Sequence, residues 1–115
     1  MNTRGDIKAL FIICNAGFAS DIMDIARGAG AKGATILNAR GTSGRHQSIM
    51  GITIDTEKEI ILILIEQEIA DRIMTSIHEQ VGIKTPAHTL CYTMPVERTT
   101  PINNFDTEPT EEDSK

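Results

Sequence analysis

Apolar residues fall along the chain in two patterns, short continuous runs and longer stretches with helical spacing. Ile7 to Cys14 (IKALFIIC) is nearly all apolar and is bounded by Asp6 and by Asn15-Ala16-Gly17. A run that short suits a strand buried on both faces. Phe18 to Ala29 sets Ile22, Ile25, Ala26 and Ala29 on one side and Asp21, Asp24 and Arg27 elsewhere, which predicts an amphipathic helix. Ser20 and Asp21 stand early in it, where the dipole favours them. Gly28 and Gly30 can take the positive φ that stops it. A second strand, about Ala34 to Arg40, rests on Thr35, Ile36 and Leu37.

From Gly41 to about Met50 the chain is polar and aperiodic, which predicts an exposed loop. Gly51 to Ile54 alternates, Asp55-Thr56-Glu57-Lys58 interrupts, and Glu59 to Glu66 (EIILILIE) is a second strongly apolar strand. These two read as a hairpin around the polar tetrapeptide or as one bent strand, with the hairpin favoured. Gln67 to Val81 is the clearest helix. Ile69, Ile73, Ile77 and Val81 recur every four residues with Ala70 and Met74 beside them, and Gly82 supplies the stop. After a polar loop, Thr89 to Val96 (TLCYTMPV) is the last strand. Pro95 cannot donate to a ladder, so that strand lies near an edge or ends there.

Two helices covering one face of a four-stranded antiparallel sheet, in the order βαββαβ, is the ferredoxin-like α+β sandwich. The other face stays open, yet the strands are too apolar for a half-solvated sheet. A trimer that buries that face would account for the excess.

The chain has 115 residues, enough for one core without metal or disulfide staples. Its net charge is −5, of which the last 17 residues, five acids against Lys115, hold −4. Residues 1–98 therefore read as one domain, and 99–115 as an acidic, flexible tail. The balance lacks the basic footprint of a nucleic-acid binder. Two cysteines, Cys14 and Cys91, both within apolar runs, suit small buried hydrophobes in a reduced, cytoplasmic setting. No targeting leader or membrane-length apolar run is evident.

The candidate chemistry lies in Arg40-Gly41-Thr42-Ser43-Gly44-Arg45, with two glycines, two hydroxyls and two guanidiniums in six residues. An isolated surface arginine would be solvated charge. This cluster, directly after a strand, offers the backbone N–H groups and cations that a phosphate needs. His46, His78 and His88 share no metal-ligand spacing with one another or with the cysteines. No paired carboxylates and no nucleophile beside a base are visible, so no catalytic residue is assigned.

Ala29-Gly30-Ala31-Lys32-Gly33-Ala34-Thr35-Ile36-Leu37, followed by Ala39-Arg40-Gly41-Thr42, resembles the P-II nitrogen-regulatory signalling family, most closely its P-II-like Gram-positive branch. The resemblance spans about residues 6–98. It implies a homotrimer with ATP or ADP in clefts between subunits. A mobile loop after strand two, the T-loop, would regulate a transporter or a metabolic enzyme. Carried over, Thr35 would face the adenine. Gly41, Thr42, Ser43 and Gly44 would form the loop base near the phosphates, with Arg45 just beyond. The family's second phosphate loop falls on Gly82 to Thr89. It reads GIKTPAHT instead of a glycine-rich run ending in lysine, so Lys84, Thr85 and His88 would be its donors. Of two arginines that the family often has after the last strand, only Arg98 is present. The T-loop contains no tyrosine, which implies no uridylylation, and Gln47 stands too late to help bind 2-oxoglutarate.

Three functions of different classes share this element order. The first is a sensor that binds ATP and ADP competitively, and is not an enzyme; the γ-phosphate would meet Arg40 and Arg45. The alternative is an acylphosphatase-like enzyme, whose phosphate cradle would follow strand one, where this chain has CNAGFAS and no arginine. The third, an RNA-binding sheet, needs stacking aromatics, and one Tyr, three Phe and no Trp do not supply them.

Overall fold

The computed structural model describes residues 6–42, 47–49, 52–54 and 56–100. In chain order its elements are β1 (Ile7–Asn15), α1 (Ala19–Gly28), β2 (Thr35–Gly41), β3 (Gln47–Ile49), β4 (Ile52–Ile54), β5 (Thr56–Glu66), α2 (Gln67–Val81) and β6 (Leu90–Pro95). Four strands form one antiparallel sheet in the order β2-β5-β1-β6. The two most apolar strands, β1 and β5, are central, with β2 and β6 covering their edges. Pro95 ends an edge strand, as its missing N–H requires. This is the ferredoxin-like sandwich.

One face carries the core. Leu10, Ile12 and Cys14 of β1 and Ile61, Ile63 and Ile65 of β5 are buried against Ile22, Met23 and Ala26 of α1 and Ala70, Ile73 and Ile77 of α2. Directly paired residues share a face. Phe11 faces Leu62 and Tyr92, and Ile13 faces Ile60 and Leu90, so these line the side that the helices leave bare. Phe11 and Tyr92 stack there, with ring centroids 5.1 Å apart.

Three expectations need correction. The stretch from Gly41 to Met50 is not all loop, since Gln47–Ile49 pairs with Ile52–Ile54 in a separate two-stranded sheet. The hairpin therefore forms inside the excursion after β2, not around residues 55–58. Thr56, Glu57 and Lys58 belong to β5, opposite Gly41, Arg40 and Ala39. Their polarity marks the end of the sheet where the strands meet solvent, not a turn. Gly30 takes the left-handed conformation with φ 123°, whereas Gly28 is still the last helical residue.

The N-terminus of α1 is capped from a distance. Ser20 lies inside the helix and Phe18, at the cap position, makes no side-chain bond. Instead Oε1 of Glu59 accepts from the Gly17 N–H at 2.6 Å and the Ala19 N–H at 3.4 Å. A carboxylate at that end satisfies orphan donors and opposes the positive end of the dipole. At α2 the Gln67 N–H reaches the Asp6 carbonyl at 2.8 Å.

Candidate functional site

At the polar end of the sheet β1 stops, β2 stops and β5 begins, all at one level. Asn15, Lys58 and Ala39 are neighbours across the three strands, and the segment before β6 closes the group from the other side. The Asn15 N–H donates to the Ala87 carbonyl at 2.9 Å, and its Nδ2 donates to the Pro86 carbonyl at 2.8 Å. Lys58 Nζ donates to Asn15 Oδ1 at 2.7 Å. Together they frame a cavity of about 370 Å³ lined by Asn15, Gly41, Thr42, Thr56, Lys58 and His88. Lys58 also borders an adjoining cavity of about 590 Å³, with Asn38, Ala39, Arg40 and Glu57.

A side chain at Gly41 would crowd the Lys58 stem. A Cβ on it would lie 3.0 Å from Cε and 3.3 Å from Cγ of Lys58, so the lysine stem crosses the strand end where a side chain would stand. His88 is the one described non-glycine residue with positive φ, at 49°. Its N–H donates to the Thr85 carbonyl at 2.9 Å, and its Nδ1 lies 2.8 Å from the Ile83 carbonyl. A carbonyl only accepts, so Nδ1 carries the proton, and Nε2 is left as the other functional atom of the ring. Thr85 is drawn into the same turn, its hydroxyl donating to the Gly82 carbonyl at 2.8 Å. The loop is thus shaped by side-chain bonds where a glycine-rich loop would be shaped by bare backbone.

Of the residues predicted from sequence, Gly41, Thr42 and His88 meet at the smaller cavity, and Arg40 lines the adjoining one. Lys84 and Thr85 line a different pocket, with His78 and Glu79 of α2. Thr35 starts β2, opposite Leu62; six residues of strand put it roughly 20 Å from Gly41. Arg98 follows the other end of the sheet, where the Val96 N–H meets the Ile7 carbonyl. Within one chain these two stay apart from Gly41. Ser43, Gly44 and Arg45 lie outside the described residues, as does the tail from residue 101.

Sequence reasoning tied Asn15 only to the acylphosphatase-like alternative and placed neither it nor Lys58 at the nucleotide site. A signal for them existed in the alternation of β5. Lys58 is in phase with Ile60, Leu62 and Leu64, while Glu59 is in phase with buried Ile61, Ile63 and Ile65. A carboxylate in phase with the core demands hydrogen-bond donors, here the amides at the head of α1. Those are the amides that an acylphosphatase-like cradle after β1 would offer to phosphate, and the chain's own Glu59 holds two of them.

Both thiols are shifted upward. Burial raises Cys14 most, with a further rise from Glu59, and burial alone raises Cys91. Neither is poised as a nucleophile. Among the described residues no three His, Cys, Asp or Glu side chains gather as a metal site would need, and no helix is long and apolar enough to cross a membrane.

A family model, nitrogen regulatory protein P-II, matches residues 7–103. The chain belongs to the P-II family. P-II proteins are signalling regulators, and the fold of this one recurs among their solved structures. B. subtilis GlnK in complex with ATP is similar with a TM-score of 0.63 at 13% identity, over 84% of this chain and 85% of that one. The nitrogen regulatory PII-like protein CPII of Thiomonas intermedia, bound to ADP, AMP and bicarbonate, gives 0.60 at 17%, over 84% and 96%. A PII-like signalling protein of Thermus thermophilus gives 0.59 at 22%, over 78% and 85%. At such identities the likeness to each is one of fold. No curated protein sequence matches this P-II chain.

Proposed function

We propose that the chain is a cytoplasmic, homotrimeric energy-state sensor that binds ATP and ADP competitively in clefts between subunits. It regulates a transporter or a metabolic enzyme through the excursion between β2 and β5. The observation that carries this reading is the meeting of Gly41, Thr42, Lys58, Asn15 and His88 around one cavity at the root of that excursion. A ligand there touches the ends of the segment that would signal. It can bias that segment only by as much as it binds one arrangement better than another, and the γ-phosphate is the group by which ATP and ADP differ.

Two further observations support the trimer. The bare face of the sheet presents Leu37, Leu90, Tyr92 and Met94 as exposed large apolar side chains, an arrangement that favours burial against other copies. Thr35 and Arg98 lie away from Gly41 within one chain, so a nucleotide that uses all three must take some of them from a neighbour. In this reading Ser43, Gly44 and Arg45 continue the phosphate contact, and Lys84 and Thr85 serve the outer rim.

Calorimetric titration with ADP and with ATP tests the site. The wild-type chain is expected to bind both in competition, and Gly41→Val, which forces the Lys58 stem aside, is expected to weaken both by about tenfold, the worth of one charge-assisted hydrogen bond. Equal heats for the two proteins would remove this strand end from the site. Sedimentation equilibrium at the mass of one chain would end the trimer.

A further inference from the structure

The Asn15 side chain joins the two walls of the cavity. Its oxygen takes the Lys58 ammonium at 2.7 Å from the β5 side, and its NH₂ group donates to Pro86 at 2.8 Å on the loop side. Its own N–H donates to Ala87 at 2.9 Å, so side chain and backbone grip consecutive carbonyls. His88, the next residue, has positive φ and lines the cavity. An amide is suited to this because it presents an acceptor and two donors on one plane. A carboxylate would hold Lys58 but repel the Pro86 carbonyl, and would cancel the charge an anion needs.

We infer that Asn15 is a positioning residue, an amide strut that holds Lys58 and His88 on facing walls of the cavity before any anionic ligand arrives. It rests on the nucleotide reading for the identity of that anion, and on the hydrogen bonds alone for the strut. Lys58 is bonded to a neutral oxygen, which occupies one of its three N–H donors and leaves its charge in place. Entering phosphate oxygens then meet a cation and an imidazole already fixed in position, so the ordering cost is met in the fold and not on binding. The loop and the strand ends cannot move independently while the strut is intact.

The test uses the full chain and the variants Asn15→Ala and Asn15→Asp, with two readouts. The first needs no ligand: hydrogen exchange of the His88 amide, which is bonded to Thr85, together with the NMR signals of the Lys58 ε-methylene and the His88 ring. In Asn15→Ala the His88 amide is expected to exchange at least about tenfold faster and both side-chain signals to move, while core amides of β1, β5 and α2 keep their protection. The second readout is calorimetric affinity for ADP and ATP, expected to fall about tenfold or more in Asn15→Ala, on the order of one lost hydrogen bond to a charged group. Asn15→Asp keeps the contact to Lys58 but not to Pro86. It is expected to keep the Lys58 signal near its place, release His88 and weaken both nucleotides. Unchanged His88 exchange and unchanged Lys58 signals in Asn15→Ala would overturn the strut, whatever the affinity does. If the wild-type chain binds neither nucleotide, the nucleotide reading falls and the exchange measurement still decides the role of Asn15. Should Asn15→Ala fail to fold, Asn15→Asp decides it by the same split between Lys58 and His88.

Discussion

On the helix-covered face of the sheet Leu10, Ile12, Ile61 and Ile63 are at most 2% exposed, while on the opposite face of the same sheet Leu90, Tyr92 and Met94 remain 40–51% exposed. The letters hardly differ; the covering does. Helices α1 and α2 seal one side with Ile22, Ala26, Ile73 and Ile77, and no described element of the chain lies over the other. Alternation in β1 and β5 therefore separates residues packed under the helices from residues on the uncovered face, which the proposed trimer would bury. The strand ends form a third environment, polar and open, where Asn15 and Lys58 meet the root of the excursion.

Ile61→Ala removes a fully buried side chain between strand and helices and is expected to cost roughly 2–5 kcal/mol in urea unfolding. A loss well under that range would mean that the core can collapse around the gap. On the bare side, Tyr92→Glu is expected to preserve the far-UV spectrum and to reduce the sedimenting mass to that of one chain. An unchanged mass would show that this face is not where copies meet. At the third environment, Glu59→Gln keeps an acceptor at the head of α1 but removes its charge. The expected loss is about 1 kcal/mol, and a stabilised variant would contradict the capping role.

The smallest effect is in pH. The ordinary thiol value is 9.0, and burial, helped by Glu59, puts Cys14 above it. Below that pH the thiol is protonated in both folded and unfolded chains, so it adds no slope. Above it the unfolded chain ionises first, and stability is lost as pH rises toward the raised folded value. Urea midpoints compared at about pH 7 and about pH 10 should show this fall, and Cys14→Ser should lessen the slope.

Elements whose signal is local were legible in the chain. α2 runs Gln67–Val81 as its four-residue ladder predicts, and β1 is where the apolar run places it. The P-II likeness of residues 29–42 led to the family, and Gly41 and Thr42 of the stretch singled out for phosphate line a cavity at the end of β2. Elsewhere the polar pattern was misleading. Residues 56–58 looked like a turn because strand ends at a solvent-facing mouth are polar, and Gln47–Ile49 looked like loop because a three-residue strand is too short to show a period.

Sequence alone indicated the four strands and two helices of the main sheet, the antiparallel two-layer fold and the family, because helical and strand periods and the 29–42 motif are carried by residues a few positions apart. Only the tertiary structure decided who meets whom at the cavity. Asn15 and Lys58 are 43 residues apart, and Asn15 and Pro86 are 71 apart. No periodicity links such positions; strand register brings them together, since a shift of one residue would turn Lys58 to the helix side and Glu59 away from α1.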